Sequence, residues 1–139
     1  MEWLYWALLS AVFAGVTAVL AKVGVTGINS NLATAIRTTV ILLFTWGLAI
    51  LTTGRGELAA ISRRAWFFLV LSGLATGLSW LCYFRALQLG EVSRVAPIDK
   101  LSVAVAIVLS LVFLGERLSL REGIGAALIL AGALFLALK

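Results

Sequence analysis

Polar and charged residues gather at four places along the chain and leave five apolar stretches between them, residues 3–21, 32–53, 65–87, 95–114 and 120–138. Each stretch comes close to the ~20 residues a helix needs to cross a bilayer. Hydrocarbon offers no water to satisfy backbone amides, so segments of this kind are predicted as helices and not as strands. The junctions carry matching signals. Asn29, Ser30 and Asn31 offer caps for the second helix, and Gly54 and Gly56 offer stops after it. Pro97 is expected in the first turn of the fourth helix, where a missing amide costs little. Ser119 and Glu122 have the spacing of a capping box, in which a hydroxyl and a carboxylate satisfy each other's orphan amides, ahead of the fifth.

A second periodicity lies inside the first four helices, where small or polar residues recur at i, i+3 or i+4 and i+7 and so share one stripe. The stripes are Ser10, Ala14, Thr17 and Ala21; Thr34, Thr38, Ile41, Thr45 and Thr52; Ser72, Thr76, Ser79 and Tyr83; and Asp99, Ser102, Ala106 and Ser110. Two uses fit such stripes. Hydroxyls can bond across helices or to their own turns, or four stripes can converge on a shared polar cavity. Trp46, Trp80 and Tyr83 lie too deep for an interfacial belt, unlike Trp3, Tyr5, Trp6 and Trp66, and are candidates to line a pocket for an apolar or aromatic substrate. Residues 123–138 carry no hydroxyl, and Gly125, Ala131 and Gly132 suit close packing there. Gly73 and Gly77 form a GxxxG in the third helix with the same expected use.

Composition narrows the picture to lipid as solvent. Of 139 residues 63% are hydrophobic and 12% charged, against about 25% charged in a soluble domain. The mean hydropathy is +1.13. With no histidine, one cysteine (Cys82) and no paired carboxylates at ligand spacing, neither a metal site nor a cofactor is expected, and no catalytic constellation points to an enzyme. The net charge of +5 is spread singly at the ends of apolar runs, so the cations read as headgroup anchors and nucleic acid is not an expected partner.

Four charges enter the spans or their edges. Asp99 and Lys100 lie inside the start of the fourth, Arg37 enters the second to a similar depth, and Arg85 ends the third. A charge at a helix centre costs about 2.5 to 3.5 kcal/mol on insertion scales, so such groups face the interior and find partners. One reading is an ion pair locking helices two and four, with Lys100 reaching the headgroups. The other is a charged mouth on a substrate path, with Asp99, Lys100, Arg37 and Arg85 beside Trp80, Tyr83, Ser79, Thr17, Ser102 and Trp46. The excess of positive charge there favours an anionic or zwitterionic solute.

Sorting loop cations by alternation gives five on the side of the N-terminus (Arg55, Arg63, Arg64, Arg117, Arg121). The other side receives four (Lys22, Arg85, Arg94, Lys139), or six with Arg37 and Lys100. The difference is too small for a firm orientation under the positive-inside rule. Dual topology with antiparallel pairing is the corresponding expectation.

The segment from Tyr83 to Leu138 resembles the second part of an EamA domain of the drug/metabolite transporter superfamily. The likeness lies in Ala86–Leu87 ending helix three, Pro97 opening helix four, the Leu114–Ser119 turn LGERLS and the glycine-rich last helix. Residues 7–25 resemble the family's first helix. The resemblance implies an all-α integral membrane protein in which residues 1–139 form a single EamA-like domain, one half of a ten-span inverted-repeat transporter. It also implies a multi-pass protein of a bacterial-type cytoplasmic membrane. Half of an inverted pair would need an oppositely oriented copy, as the charge count suggests. The chain also resembles the small multidrug resistance branch in length. It lacks that branch's first-helix glutamate, which leaves Asp99 as the one intramembrane acid able to substitute. The expected function is a carrier or exporter that moves a small metabolite or amphipathic solute by alternating access as an antiparallel homodimer. A lipid or lipid-linked sugar flippase and a non-transporting membrane interaction subunit are the alternatives.

Overall fold

The computed structural model describes residues 2–54 and 56–137; the predicted span end at Leu138 and the loop and terminal cations Arg55 and Lys139 lie outside them. Its elements are α1 (Glu2–Val25), α2 (Ser30–Thr52), α3 (Arg63–Leu89), α4 (Val92–Asp99), α5 (Ser102–Leu109), a π-helical turn (Ser110–Leu114) and α6 (Leu120–Ala137). There is no strand among the described residues. Five stretches are long and apolar enough to cross a membrane: α1, α2, α3, the run Val92–Leu114 and α6. The fold is therefore all-helical with five spans. Leu51, Phe113 and Phe135 are 85%, 78% and 79% exposed, which suits side chains whose natural surroundings are acyl chains.

The chain divides into two compact units, Ala21–Gln88 and Met1–Leu20 together with Leu89–Lys139. In the first, α1 ends at Val25 and Gly27, with φ +81°, turns the chain. A side chain is strained at that angle, which explains a glycine there. Asn29 then caps α2, its side-chain oxygen accepting from the amides of Asn31 (2.9 Å) and Leu32 (3.4 Å). Of the three offered caps, the structure uses this one. The buried residues of this unit are few and lie at this end: Ala21, Val25, Ser30, Ala33, Thr34, Phe84 and Leu87. At the other end α2 stops at Thr53, and the Gly54 amide donates to the Glu57 carboxylate at 2.9 Å.

In the second unit, α4 and α5 pack along α6. The expected capping box is present: the Ser119 amide donates to Glu122 Oε2 at 2.8 Å, and the Glu122 amide donates to Ser119 Oγ at 3.3 Å. Gly115, with φ +66°, ends the π turn.

The fourth span departs from the sequence expectation. It begins at Val92, so Pro97 lies in the second turn of α4 and not in its first. Proline there removes the i→i−4 bond to the Ser93 carbonyl and crowds that oxygen. The helix gives way just beyond. Lys100 donates to Pro97 (3.0 Å), Leu101 to Ile98 (2.9 Å), Val103 to Lys100 (3.0 Å) and Ala104 to Leu101 (3.0 Å), all tightened i→i−3 bonds. Asp99 and Lys100 therefore lie at a break in the span, between the end of α4 and the start of α5.

Candidate functional site

The most developed polar constellation belongs to the unit Ala21–Gln88, where α1 ends, α2 begins and α3 ends. The last carbonyls of a helix lack intrahelical donors, and here side chains supply them. Lys22 Nζ donates to the Leu87 carbonyl at 2.6 Å, and Gln88 Nε2 donates to the carbonyls of Val25 and Ile28. Arg85 Nη1 in turn donates to Gln88 Oε1 at 3.0 Å. This network fixes the end of α1 against the end of α3. Leu87, at 0% exposed, and Val25, at 1%, fill the space beneath it.

One turn into α2 beyond buried Thr34, Arg37 extends toward α3. Its guanidinium carbon stands 4.3 Å from the centre of the Trp80 ring and 5.4 Å from that of Phe84. Both distances fall within the ~6 Å over which a cation is drawn to an aromatic face. Trp80 and Phe84 are four residues apart, so they stand one above the other on a single face of α3. Among the described residues of this unit Arg37 has no carboxylate partner, and the Tyr83 phenol is close enough to act on its charge. The unit's single carboxylate, Glu57, lies in the loop beyond the far end of α2.

At that far end there is an open pocket of about 630 Å³ lined by Thr45, Trp46, Thr53, Glu57 and apolar neighbours. Trp46 thus lines a pocket at the opposite end of α2 from Arg37, Trp80 and Tyr83. In the other unit Asp99 Oδ2 pairs with its neighbour Lys100 Nζ at 3.7 Å, and Arg94 pairs with Glu91 at 3.5 Å.

The hydroxyl stripes have a local use. Thr34, Thr38, Thr45, Thr52 and Thr76 each donate to the carbonyl four residues back, and Ser110 to the one three back. Hydroxyls bonded in this way keep lone pairs but not their protons for a ligand. Thr17 is half-buried, and Ser79 and Ser102 are exposed. A side chain added at Gly73, Gly77, Gly125 or Gly132 meets no heavy atom within 4 Å among the described residues, so these glycines present open faces.

The match to the EamA-like transporter family runs over residues 1–138. The chain belongs to that family. A relative from Sinorhizobium sp, "Uncharacterized transporter in cobO 3'region", is 54% identical over 136 residues, 98% of this chain and 96% of the relative. A second, "Uncharacterized transporter YxxF" of Bacillus subtilis (strain 168), is 32% identical over 130 residues, 91% of this chain but 40% of the relative. The chain thus spans about two-fifths of the Bacillus protein and nearly all of the Sinorhizobium one. No solved structure matches. EamA-like membership together with five apolar spans makes the chain an integral, multi-pass membrane protein of a transporter family.

Phe84, Gln88 and Glu57 were not legible as site residues in the sequence. Phe84 and Gln88 do follow Trp80 at successive intervals of four, a spacing that puts all three on one face of α3.

Proposed function

We propose that this chain is a carrier that moves a small solute across the membrane by alternating access, working as an antiparallel homodimer of five-span protomers. Residues 1–139 act as one EamA-like domain, and two such domains of opposite orientation frame the path. The observation that supports it most is the cationic, aromatic end of α2 and α3, where Arg37 sits inside an apolar span against Trp80 and Phe84. Intramembrane charges are costly, face protected interiors and mark solute paths in transporters. The nearly balanced loop cations support opposite insertion of two copies. The Sinorhizobium relative, also named a transporter, is matched over almost its whole length by a single five-span unit. The break at Asp99–Leu101 supports the same reading, because interrupted helices are used in carriers to bring backbone and charge to a path.

The path-lining residues of this reading are Arg37, Trp80, Tyr83, Ser79 and Arg85, with Thr17, Asp99, Lys100 and Ser102 from the other unit and Trp46 at its far end. The open glycine faces of Gly73, Gly77, Gly125 and Gly132, with Ala131, carry the packing between copies. The expected location is a bacterial-type cytoplasmic membrane. Purified protein in liposomes tests the reading: saturable flux of at least one solute from a broad metabolite panel is expected. Absence of both flux and binding across the panel would replace it with a non-transporting membrane subunit.

A further inference from the structure

The structure assigns Arg37, held over Trp80 beside Phe84, as the recognition site for the carboxylate of an organic anion with an apolar body. The assignment deepens the carrier reading and rests on it only for the fate of the bound molecule.

Depth separates this site from a headgroup anchor. Arg37 is seven residues beyond the start of α2, about 10 Å along the axis at 1.5 Å per residue. An arginine that reaches for lipid phosphate extends back toward the near end of its helix. Here the guanidinium lies nearer to Trp80, nine residues (about 13 Å) from the end of α3, than to Phe84, only five residues (about 8 Å) from that end. The charge is held level with its own backbone or deeper, inside the span.

Geometry then selects the ligand class. The rings engage the cation from the side of α3, and the planar guanidinium carries five N–H donors arranged as a fork. A fork of this shape is matched by the two oxygens of a carboxylate, which it binds through two parallel charge-assisted hydrogen bonds. Among the described residues of its unit no carboxylate pairs with Arg37, and the Tyr83 phenol acts on its charge from α3. Lys22 and Arg85 stand at the same end of the unit, and its one acid, Glu57, lies beyond the opposite end of α2, so the local field favours an anion. A single fork with one positive charge suits one carboxylate better than a dianionic phosphate, which draws on several cations. Trp80 and Phe84 present apolar rings beside the charge, so the remainder of the ligand is apolar.

Calorimetric titration of 2-naphthoate into nanodiscs of phosphatidylcholine containing the full chain tests the assignment, with empty discs subtracted and 2-naphthamide, 2-naphthylmethylamine and inorganic phosphate as comparison probes. Saturable binding of naphthoate alone is expected. Arg37→Gln should weaken it by tenfold or more, Arg37→Lys by a smaller factor through loss of the fork, and Trp80→Phe only modestly. Arg121→Gln, in α6 and outside the path, should leave it unchanged. No naphthoate binding by wild type, equal binding of the amide, or unaltered binding in both Arg37 variants would overturn the site. So would binding that emerges only in Asp99→Asn, which would make Asp99 the partner of Arg37. Because binding is read without transport, naphthoate binding with no flux in liposomes would remove the carrier reading and leave this site standing, whereas flux of another solute without naphthoate binding would do the reverse.

Discussion

Replacing Trp80 by leucine removes the ring that holds Arg37 while keeping an apolar side chain in lipid. The contact at 4.3 Å is well inside cation–π range. Such pairs are worth about 0.5–1 kcal/mol at exposed sites and about 2 kcal/mol or more when desolvated. Arg37 is half-buried and Phe84 remains at 5.4 Å as a second, weaker face, which points to a loss of about 1–2 kcal/mol. Leucine also packs differently from tryptophan, so the single substitution does not isolate the contact. A double-mutant cycle with Arg37→Leu does, since each packing change cancels between its two edges. The assay is equilibrium unfolding of the reconstituted protein in bicelles, followed by steric trapping. Trp80→Leu should cost about 1–2 kcal/mol more in the presence of Arg37 than in the Arg37→Leu background. A coupling below about 0.3–0.5 kcal/mol, the range within which independent sites add, would refute the claim that the ring holds the charge.

The same measurement serves three further predictions. Leu87→Ala opens a cavity at a fully buried side chain and should destabilise the unit by about 2 kcal/mol or more, with little change at an exposed control such as Leu51→Ala. Ser119→Ala with Glu122→Ala dismantles the capping box of α6 and should cost about 1 kcal/mol, seen also as faster amide exchange at residues 120–123. Gly115→Ala forces a side chain into the left-handed region at φ +66° with nothing crowding the added methyl, so the cost is conformational alone, about 1–2 kcal/mol.

Five helices were legible because hydrocarbon thickness imposes one length on every span, and a run of ~20 apolar residues is hard to mistake. The Ser119–Glu122 box was legible for a different reason: its two partners are three residues apart, so no tertiary information is needed. Pro97 was misplaced because the apolar run opens at Val95 while the helix opens at Val92. The hydrophobic pattern marks where lipid begins, not where hydrogen bonding does. Arg37 stood out as a charge in an apolar run, but its contact with Trp80 depends on how α3 packs against α2, which no local signal encodes. The polar stripes show the same limit. Their period identified one face of each helix, yet periodicity does not separate a hydroxyl bound to its own turn from one offered to a cavity.

The proposed antiparallel pair requires protomers that insert both ways up, and site-directed labelling reads this directly. In a Cys82→Ser background, single cysteines at Thr26, in the loop after α1, and at Ser62, in the loop before α3, are exposed to a membrane-impermeant maleimide in intact cells and again after permeabilisation. Because these loops lie on opposite sides of any one copy, each position should be labelled in part from outside and in full only once the membrane is opened. Complete labelling of one position and none of the other in intact cells would establish a single orientation and contradict the antiparallel pair.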